Sequence, residues 1–263
     1  NLFFFFFFFS FAHAEKIVER YEYQGQIKKL INHKTNILLP QGRWIVTGIE
    51  KNATGNRWMG AAFSLFENDK LVAIIDIWAP RELASEGWDP GEDIICDDYE
   101  NQGSNYFYIS NKNYSKGWIK KPMACHNIWV LNKVDSAYCQ NCEEIQETWD
   151  YMIRNNIEFP DALIEIGFSF LDKENWLDIH ISINPEFAGI VSENDIWWQQ
   201  SEWHKSRIFN YSDKNEYMTK VISLTSQLRE TLYEEFKKGR KGTMNFDDFK
   251  NFRKMLPLSE ILN

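Results

Sequence analysis

Two neighbouring segments of strictly alternating side chains constrain the fold of this chain more than any other feature. In residues 162–171 and again in residues 176–183, every second side chain is apolar, and only four residues separate the two segments. Strict alternation is typical of a β-strand with one buried face, and so short a link favours an antiparallel hairpin. We expect Leu171 to pair with Trp176, which aligns the apolar positions of both strands on one face.

The rest of the chain adds further strands and two longer helices. The segments with strand composition are 43–50, 57–67, 70–78, 106–110 and 123–134. Apolar residues recur at helical spacing in residues 143–155, and Ser212 or Asp213 is suited to cap a helix that runs to about Lys238. Because helices do not alternate with strands, we expect an α+β fold. We predict an antiparallel sheet of about six to seven strands, with the helices packed mainly on one face.

The first 14 residues have the composition of an export signal. An apolar run that includes seven consecutive phenylalanines ends in Ala12, His13 and Ala14, which is the small-x-small pattern of a signal-peptidase site. The run is shorter than the roughly 20 apolar residues that a membrane-spanning helix needs. We therefore predict an exported protein, periplasmic or secreted. The predicted divisions are a signal peptide (1–14), an N-terminal lead-in (15–42), an α+β core domain (43–240) and a C-terminal helical appendage (241–263).

The net charge of the chain argues against two classes of binding partner, nucleic acids and anionic lipids. The formal net charge is −9 at pH 7, and an acidic protein has no electrostatic attraction to nucleic acid or to anionic lipid. We expect no nucleic-acid binding and no stable membrane insertion after signal cleavage. The chain contains no phosphate-binding glycine loop, no dinucleotide fingerprint and no HExxH zinc motif, so we also expect no cofactor and no metal.

Four cysteines agree with export, because an even number in an oxidising compartment favours disulfide bonds. They are Cys96, Cys125, Cys139 and Cys142. Three pairings are possible, and the sequence does not choose among them. The pairing that we prefer is Cys96 with Cys125 and Cys139 with Cys142.

The Cys139 to Cys142 segment also has a redox interpretation. A strand-like run precedes it and a helix follows, and a helix N-terminus stabilises a thiolate. This order resembles the active-site turn of thioredoxin-like oxidoreductases, and Pro160 precedes a hairpin as that family's cis-proline does. The resemblance implies thiol–disulfide exchange by Cys139 and Cys142. The chain departs from the family because the gap from Cys142 to Pro160 is too short for the family's intervening strand and helix.

A second group of candidate residues lies on the polar side of the hairpin. The expected register places Ser169 opposite Asp178 and Gly167 opposite His180, with Glu165 nearby on the same face. Together, Glu165, Ser169, Asp178 and His180 could perform acid–base or nucleophilic chemistry. The same pattern is also typical of a sheet face in contact with water.

An aromatic segment provides the third group. The chain is rich in tryptophan, with 11 residues in total, and Trp197, Trp198 and Trp203 lie close together with Gln199. Exposed tryptophan faces could stack on a sugar or hold an apolar ligand, whereas buried ones would pack at the edge of the core.

These observations favour a soluble, exported, non-catalytic binding or accessory protein that disulfides stabilise. Its expected partner is a small molecule, a glycan or a protein. Two enzymatic alternatives remain: a thiol–disulfide oxidoreductase, and a hydrolase-like enzyme that uses the polar residues of the hairpin.

Overall fold

The structure is a computed structural model, and the residues that it describes are 22–24, 39–40, 42–49, 58–80, 106–112, 121–132, 143–172, 176–191, 200–238 and 260. The strands are β1 (Glu22–Gln24), β2 (Arg43–Ile49), β3 (Trp58–Glu67), β4 (Lys70–Pro80), β5 (Tyr106–Lys112), β6 (Met123–Asn132), β7 (Ala162–Leu171) and β8 (Trp176–Ile183). The helices are α1 (Glu143–Arg154) and α2 (Ser212–Lys238), with short 3-10 helices at Pro185–Ala188 and Ile208–Asn210.

All eight strands form one antiparallel sheet in the spatial order β1-β2-β3-β4-β8-β7-β6-β5. The predicted α+β fold with an antiparallel sheet is therefore confirmed. Seven strands correspond to the predicted segments, and the eighth is the three-residue strand β1, which lies in the predicted lead-in. A strand as short as β1 has too few residues for an alternation pattern to appear in the sequence.

Two hairpins fix the register of the central strands. Between β3 and β4, Asn68 and Asp69 both have positive φ angles of 51° and 59°, as a two-residue hairpin turn requires. Between β7 and β8, Leu171 lies opposite Trp176 and Ile164 lies opposite Ile183. The predicted register of this second hairpin is confirmed, so its polar and apolar side chains lie on the predicted faces.

One face of the sheet, which we call the first face, is apolar and packs against α2. Its side chains form a large buried cluster together with the apolar stripe of that helix. Near the end of α2, the ring of Phe236 stacks on Phe170 with a centroid distance of 5.7 Å. Burial of this stripe accounts for the position of the helix, since apolar area removed from water contributes roughly 25 cal/mol per Å².

The opposite face, which we call the second face, carries α1 at one end. Trp149 and Met152 of this helix pack with Ala62, Ile74 and Leu163 in a separate buried cluster. Beside them, three buried hydroxyls, which we call the hydroxyl cluster, join the helix to the sheet. The Oγ1 atom of Thr47 lies 2.7 Å from Ser64 Oγ and 2.9 Å from Thr148 Oγ1.

The expected packing of both helices on one face is not confirmed. Consecutive strand residues point to opposite faces, and on β7 the side chain of Leu163 belongs to the cluster of α1 whereas that of Ile164 belongs to the cluster of α2. The two helices therefore cover different faces. The sequence pattern missed this because Leu163 and Ile164 are both apolar.

A buried ion pair positions the start of α2. Lys214 is 4% exposed, and its Nζ lies 2.8 Å from Glu202 Oε2 and over the ring of Trp203, 5.7 Å from the centroid. In the part of the chain that the structure describes, neither helix combines the length and the apolar character that crossing a membrane requires.

Candidate functional site on the second face of the sheet

Away from α1, the second face is polar where four central strands meet. Asn127 on β6 lies opposite Gly167 on β7, Gly167 lies opposite His180 on β8, and His180 lies opposite Asp76 on β4. We call this region the second-face site, and it consists of Asp76, Trp78, Asn127, Trp129, Glu165, Asp178 and His180. Continuous pairing of long central strands holds these positions rigidly, which suits a functional site.

His180 and Glu165 form the central ion pair of the second-face site. The Nδ1 atom of His180 lies 3.0 Å from Glu165 Oε1, with 21% and 10% of the two side chains exposed. The other carboxylate oxygen lies 3.5 Å from the hydroxyl of Ser182. Burial alone lowers the pKa of His180, but the hydrogen bond and charge of Glu165, with the charges of Asp178 and Asp76, raise it to about 9. His180 is therefore a cation at neutral pH.

Asp76 is a buried carboxyl group beside this cation. It is 5% exposed, and the indole N–H of Trp78 donates a 2.6 Å hydrogen bond to its Oδ2 atom. Burial raises the pKa of Asp76 to about 7, although the charge of His180 and the hydrogen bond from Trp78 act in the opposite direction. Asp76 is thus a carboxyl group that gains and loses its proton near neutral pH.

Asp178 is a second carboxyl group held in a similar way. Burial raises its pKa above the ordinary value, while the charge of His180 and the hydrogen bonds of Ser169 and Trp176 lower it. Its Oδ1 atom is buried and has no hydrogen-bond partner in the part of the chain that the structure describes.

Asn127 completes the polar surface. The residue is 1% exposed, and neither its Oδ1 nor its Nδ2 atom has a hydrogen-bond partner among the described residues. The amide lies over Gly167, because a Cβ atom at that position would overlap Asn127 Oδ1. A buried amide with both groups unpaired costs about 1–3 kcal/mol per group, so it requires an explanation.

Two aromatic rings border the second-face site. The ring of Trp129 meets that of His180 edge-on at a centroid distance of 5.6 Å. The ring of Trp78 lies on the backbone of Gly60, where a Cβ atom would be only 3.1 Å from two ring carbons. Both tryptophans are half-buried, and rings of this kind can cover the apolar side of a ligand.

The structure brings together all four polar residues that the sequence nominated. Glu165 pairs with His180, and Asp178 interacts with both His180 and Ser169. Sequence reasoning missed Asp76 and Asn127, which lie on strands outside the hairpin. The signal for Asp76 was present, since it is the single charged residue in the apolar run from Leu71 to Pro80.

The other nominated residues lie elsewhere or outside the described residues. Trp203 is 1% exposed and belongs to the core cluster of the first face, where its ring meets Tyr217 edge-on. Its ring is therefore a packing element. Trp197, Trp198 and Gln199 lie outside the described residues, so a ligand role for them stays a prediction.

The cysteine predictions rest mainly on residues outside the described part of the chain. Cys125 is described and is 1% exposed, whereas Cys96, Cys139 and Cys142 are not described. Within the described residues there is no free cysteine. The preferred pairing and the redox alternative both stay predictions.

The second-face site combines groups suited to hold a polar molecule or to move a proton. It has a histidine cation, a carboxylate paired with it and two carboxyl groups of raised pKa. It also has a buried amide that no described residue hydrogen-bonds. Among the described residues, no group of three or more His, Cys, Asp and Glu side chains is arranged to hold a metal ion.

Three comparisons with known proteins found no match for this chain. No protein-family model matches the sequence, no curated protein matches it, and no solved structure matches its fold.

Proposed function

We propose that this chain is an exported, non-catalytic protein that binds a small polar molecule at the second-face site. The observation that carries the proposal is the buried amide of Asn127, whose nitrogen and oxygen have no hydrogen-bond partner among the described residues. Buried polar groups in folded proteins are almost always hydrogen-bonded. A ligand that pairs with this amide removes the cost of leaving it unsatisfied.

The surrounding charges support a binding role. One oxygen of Asp76 and one of Asp178 are also buried without hydrogen-bond partners among the described residues. Asp76 lies opposite the His180 cation on the neighbouring strand, and Asp178 lies two residues before it on the same strand. Converging polar groups and titratable residues of shifted pKa are typical of functional sites. Export rests on the composition of residues 1–14, and it fits the even number of cysteines.

The proposal is tested by thermal unfolding of the full chain in the presence of a panel of sugars, amino acids, polyamines, nucleosides and carboxylic acids. A ligand that binds only the folded state raises the melting temperature. We expect at least one class to do so, and we expect Gly167→Ala to abolish the effect because its methyl group displaces the Asn127 amide.

Ser64→Ala is the matched control. Ser64 lies on the same face and is fully buried, but its hydroxyl belongs to the hydroxyl cluster beside α1 and not to the second-face site. This variant should lose some stability and keep the full ligand-induced shift. Equal shifts in Gly167→Ala and wild type would contradict binding at the second-face site.

A hydrolase-like enzyme is the second candidate, and the pKa of Asp76 favours it. A carboxyl group whose pKa is about 7 is suited to general acid–base catalysis at neutral pH, and it lies opposite the His180 cation. Turnover of chromogenic esters, phosphoesters or glycosides, lost in Asp76→Asn and dependent on a group titrating near pH 7, would replace binding by catalysis. Binding without turnover would retain the first proposal.

A further inference from the structure

Three asparagines of this chain start the Asn-x-Ser/Thr sequon of N-linked glycosylation. They are Asn52, Asn113 and Asn210, and none of them is followed by proline. A sequon is an acceptor only in a chain that enters the secretory route, so it becomes relevant to this protein through the export proposed above. Asn52 and Asn113 lie outside the described residues, whereas Asn210 lies within them. The structure of the Asn210 segment therefore shows whether the folded chain has room for a glycan.

The segment around Asn210 is held at both ends by buried side chains. On one side, Ile208 is fully buried in the apolar cluster of the first face. On the other side, Lys214 is buried at the start of α2. Between these two residues, the backbone N–H of Asn210 donates a 2.9 Å hydrogen bond to the carbonyl of Arg207. The fold therefore fixes the position of the Asn210 backbone.

The side chains of the sequon itself face solvent. Asn210 and Ser212 are both exposed, and the preceding Phe209 is 75% exposed. An N-linked glycan is bulky and hydrated, so a folded protein can carry one only where the acceptor amide and its neighbours are open to water. Asn210 meets this requirement without any rearrangement of the fold.

The Asn210 sequon and the second-face site lie on separate surfaces. Ile208 belongs to the buried cluster of the first face, and α2, which covers that face, begins at Ser212. The sequon is therefore on the first-face side of the sheet, and a glycan there leaves the second-face site uncovered.

We propose that Asn210 is an acceptor for an N-linked oligosaccharide, with Ser212 as the hydroxyl residue of its sequon. The donor is an oligosaccharide that a diphosphate joins to a membrane lipid. The bond from the anomeric carbon to the diphosphate oxygen breaks, and a bond from that carbon to Asn210 Nδ2 forms. One amide proton passes to a base of the transferase, and the lipid diphosphate leaves. This inference goes beyond ligand binding and rests on the export that is part of the proposed function.

Peptide mapping of the full chain, secreted from cultured insect cells, tests the site without any variant. Trypsin cuts after Arg207 and after Lys214, so peptide 208–214 contains Asn210 and neither of the other two sequons. We expect mass spectra to show an N-linked glycan on most of this peptide. Treatment with peptide N-glycosidase before trypsin should convert the glycosylated Asn210 to an aspartate, whose mass identifies the acceptor.

Matched variants test the role of the sequon. Ser212→Ala removes the hydroxyl and keeps Asn210, whereas Ser212→Thr keeps a complete sequon at the same place. The glycan should be lost from this segment in Ser212→Ala and in Asn210→Gln, and it should remain in Ser212→Thr. Asn215→Gln is the control, because Asn215 is a nearby asparagine outside any sequon, and this variant should keep the glycan.

The outcomes separate the glycan from export and from ligand binding. A secreted wild-type chain with an unmodified peptide 208–214 would overturn the inference and leave export intact, and a glycan that persists in Ser212→Ala would overturn the sequon. A chain that is not secreted would contradict export, and residues 1–14 would then be replaced by an established secretory signal. A glycan on peptide 208–214 of that chain would keep Asn210 as an acceptor, whereas an unmodified peptide would overturn it. The thermal-unfolding panel bears on ligand binding alone.

Discussion

The two faces of this sheet are built from the same strands but differ in the side chains that they bury. On the first face, β7 and β8 contribute Ile164, Phe168 and Ile181 to a continuous apolar cluster under α2. On the second face, the residues next to them on the same strands include Glu165 and His180. The first face buries apolar side chains and stabilises the fold. The second face buries titratable side chains, and some of their polar atoms have no hydrogen-bond partner among the described residues. The buried polar groups of the second face therefore cost stability, as expected if they serve the binding role proposed above.

The largest effect should come from breaking the first face. Phe170→Ala removes a fully buried ring that stacks on Phe236, and large-to-small changes of this kind cost about 3–5 kcal/mol. Urea unfolding followed by tryptophan fluorescence measures the loss. Ligand binding at the second-face site should persist in the folded fraction. A loss below about 1 kcal/mol would show that the first face is not the main source of stability.

A somewhat smaller effect should follow from breaking the ion pair of the second face. Glu165→Gln removes the charge that holds His180 protonated, and we expect the free energy of unfolding to fall by about 2–3 kcal/mol near pH 6, allowing for partial exposure. The folded-state pKa of His180 lies above its ordinary value of 6.5. The pair therefore stabilises fully below pH 6.5, and this stabilisation is lost as the pH rises through about 9.

NMR titration of His180 checks the cause directly. In Glu165→Gln its pKa should fall well below the wild-type value of about 9. An unchanged pKa would contradict the assigned pairing.

A third change tests a polar residue on the apolar face. His126 is fully buried and stacks on Phe168, and neither ring nitrogen has a hydrogen-bond partner among the described residues. Burial, and then the charge of Arg229, lowers the pKa of His126 to about 3. The folded state therefore excludes the protonated form, and stability is lost as the pH falls from 6.5 towards 3.

His126→Leu should remove this acid sensitivity. Between about pH 7 and pH 5 the wild-type chain should lose about 1–2 kcal/mol more than the variant, as measured by urea unfolding at each pH. Parallel pH profiles would show that His126 is protonated without penalty in the folded state.

The smallest effect should come from an exposed apolar residue outside both clusters. Ile153 on α1 is 63% exposed, so Ile153→Ser should change the free energy of unfolding by less than about 0.5 kcal/mol. Thermal unfolding provides the measurement. A larger loss would reveal a contact that the described residues do not contain.

The sequence predicted the local elements of this fold well because each has a strong periodic signal. The strands β7 and β8 and their register were predicted residue by residue from alternation alone. The side of the sheet that each helix covers was not, because α1 follows β6 and precedes β7 in the chain, and no local pattern states which face it occupies. The choice depends on long-range packing with Ala62 and Ile74.

The candidate site was predicted in part for the same reason. Glu165, Ser169, Asp178 and His180 lie on one hairpin, so a local register was enough to bring them together. Asp76 and Asn127 come from β4 and β6, which flank that hairpin only in the folded sheet. Strand order is a long-range property, and an antiparallel sheet allows many orders for the same strands.

The most direct test of the contrast between the faces is the stability of Asp76→Asn as a function of pH. The folded-state pKa of Asp76 is about 7, against an ordinary 3.8, so burial penalises its charged form; the penalty is absent below pH 3.8 and complete above 7. Asparagine has nearly the same side-chain shape and an oxygen that accepts the hydrogen bond from Trp78, but it carries no charge. Urea unfolding should find this variant more stable than wild type by about 2–4 kcal/mol near pH 8, with a difference that shrinks towards pH 4. A variant less stable than wild type at both pH values would contradict the account, because the second-face carboxyl group would then support the fold.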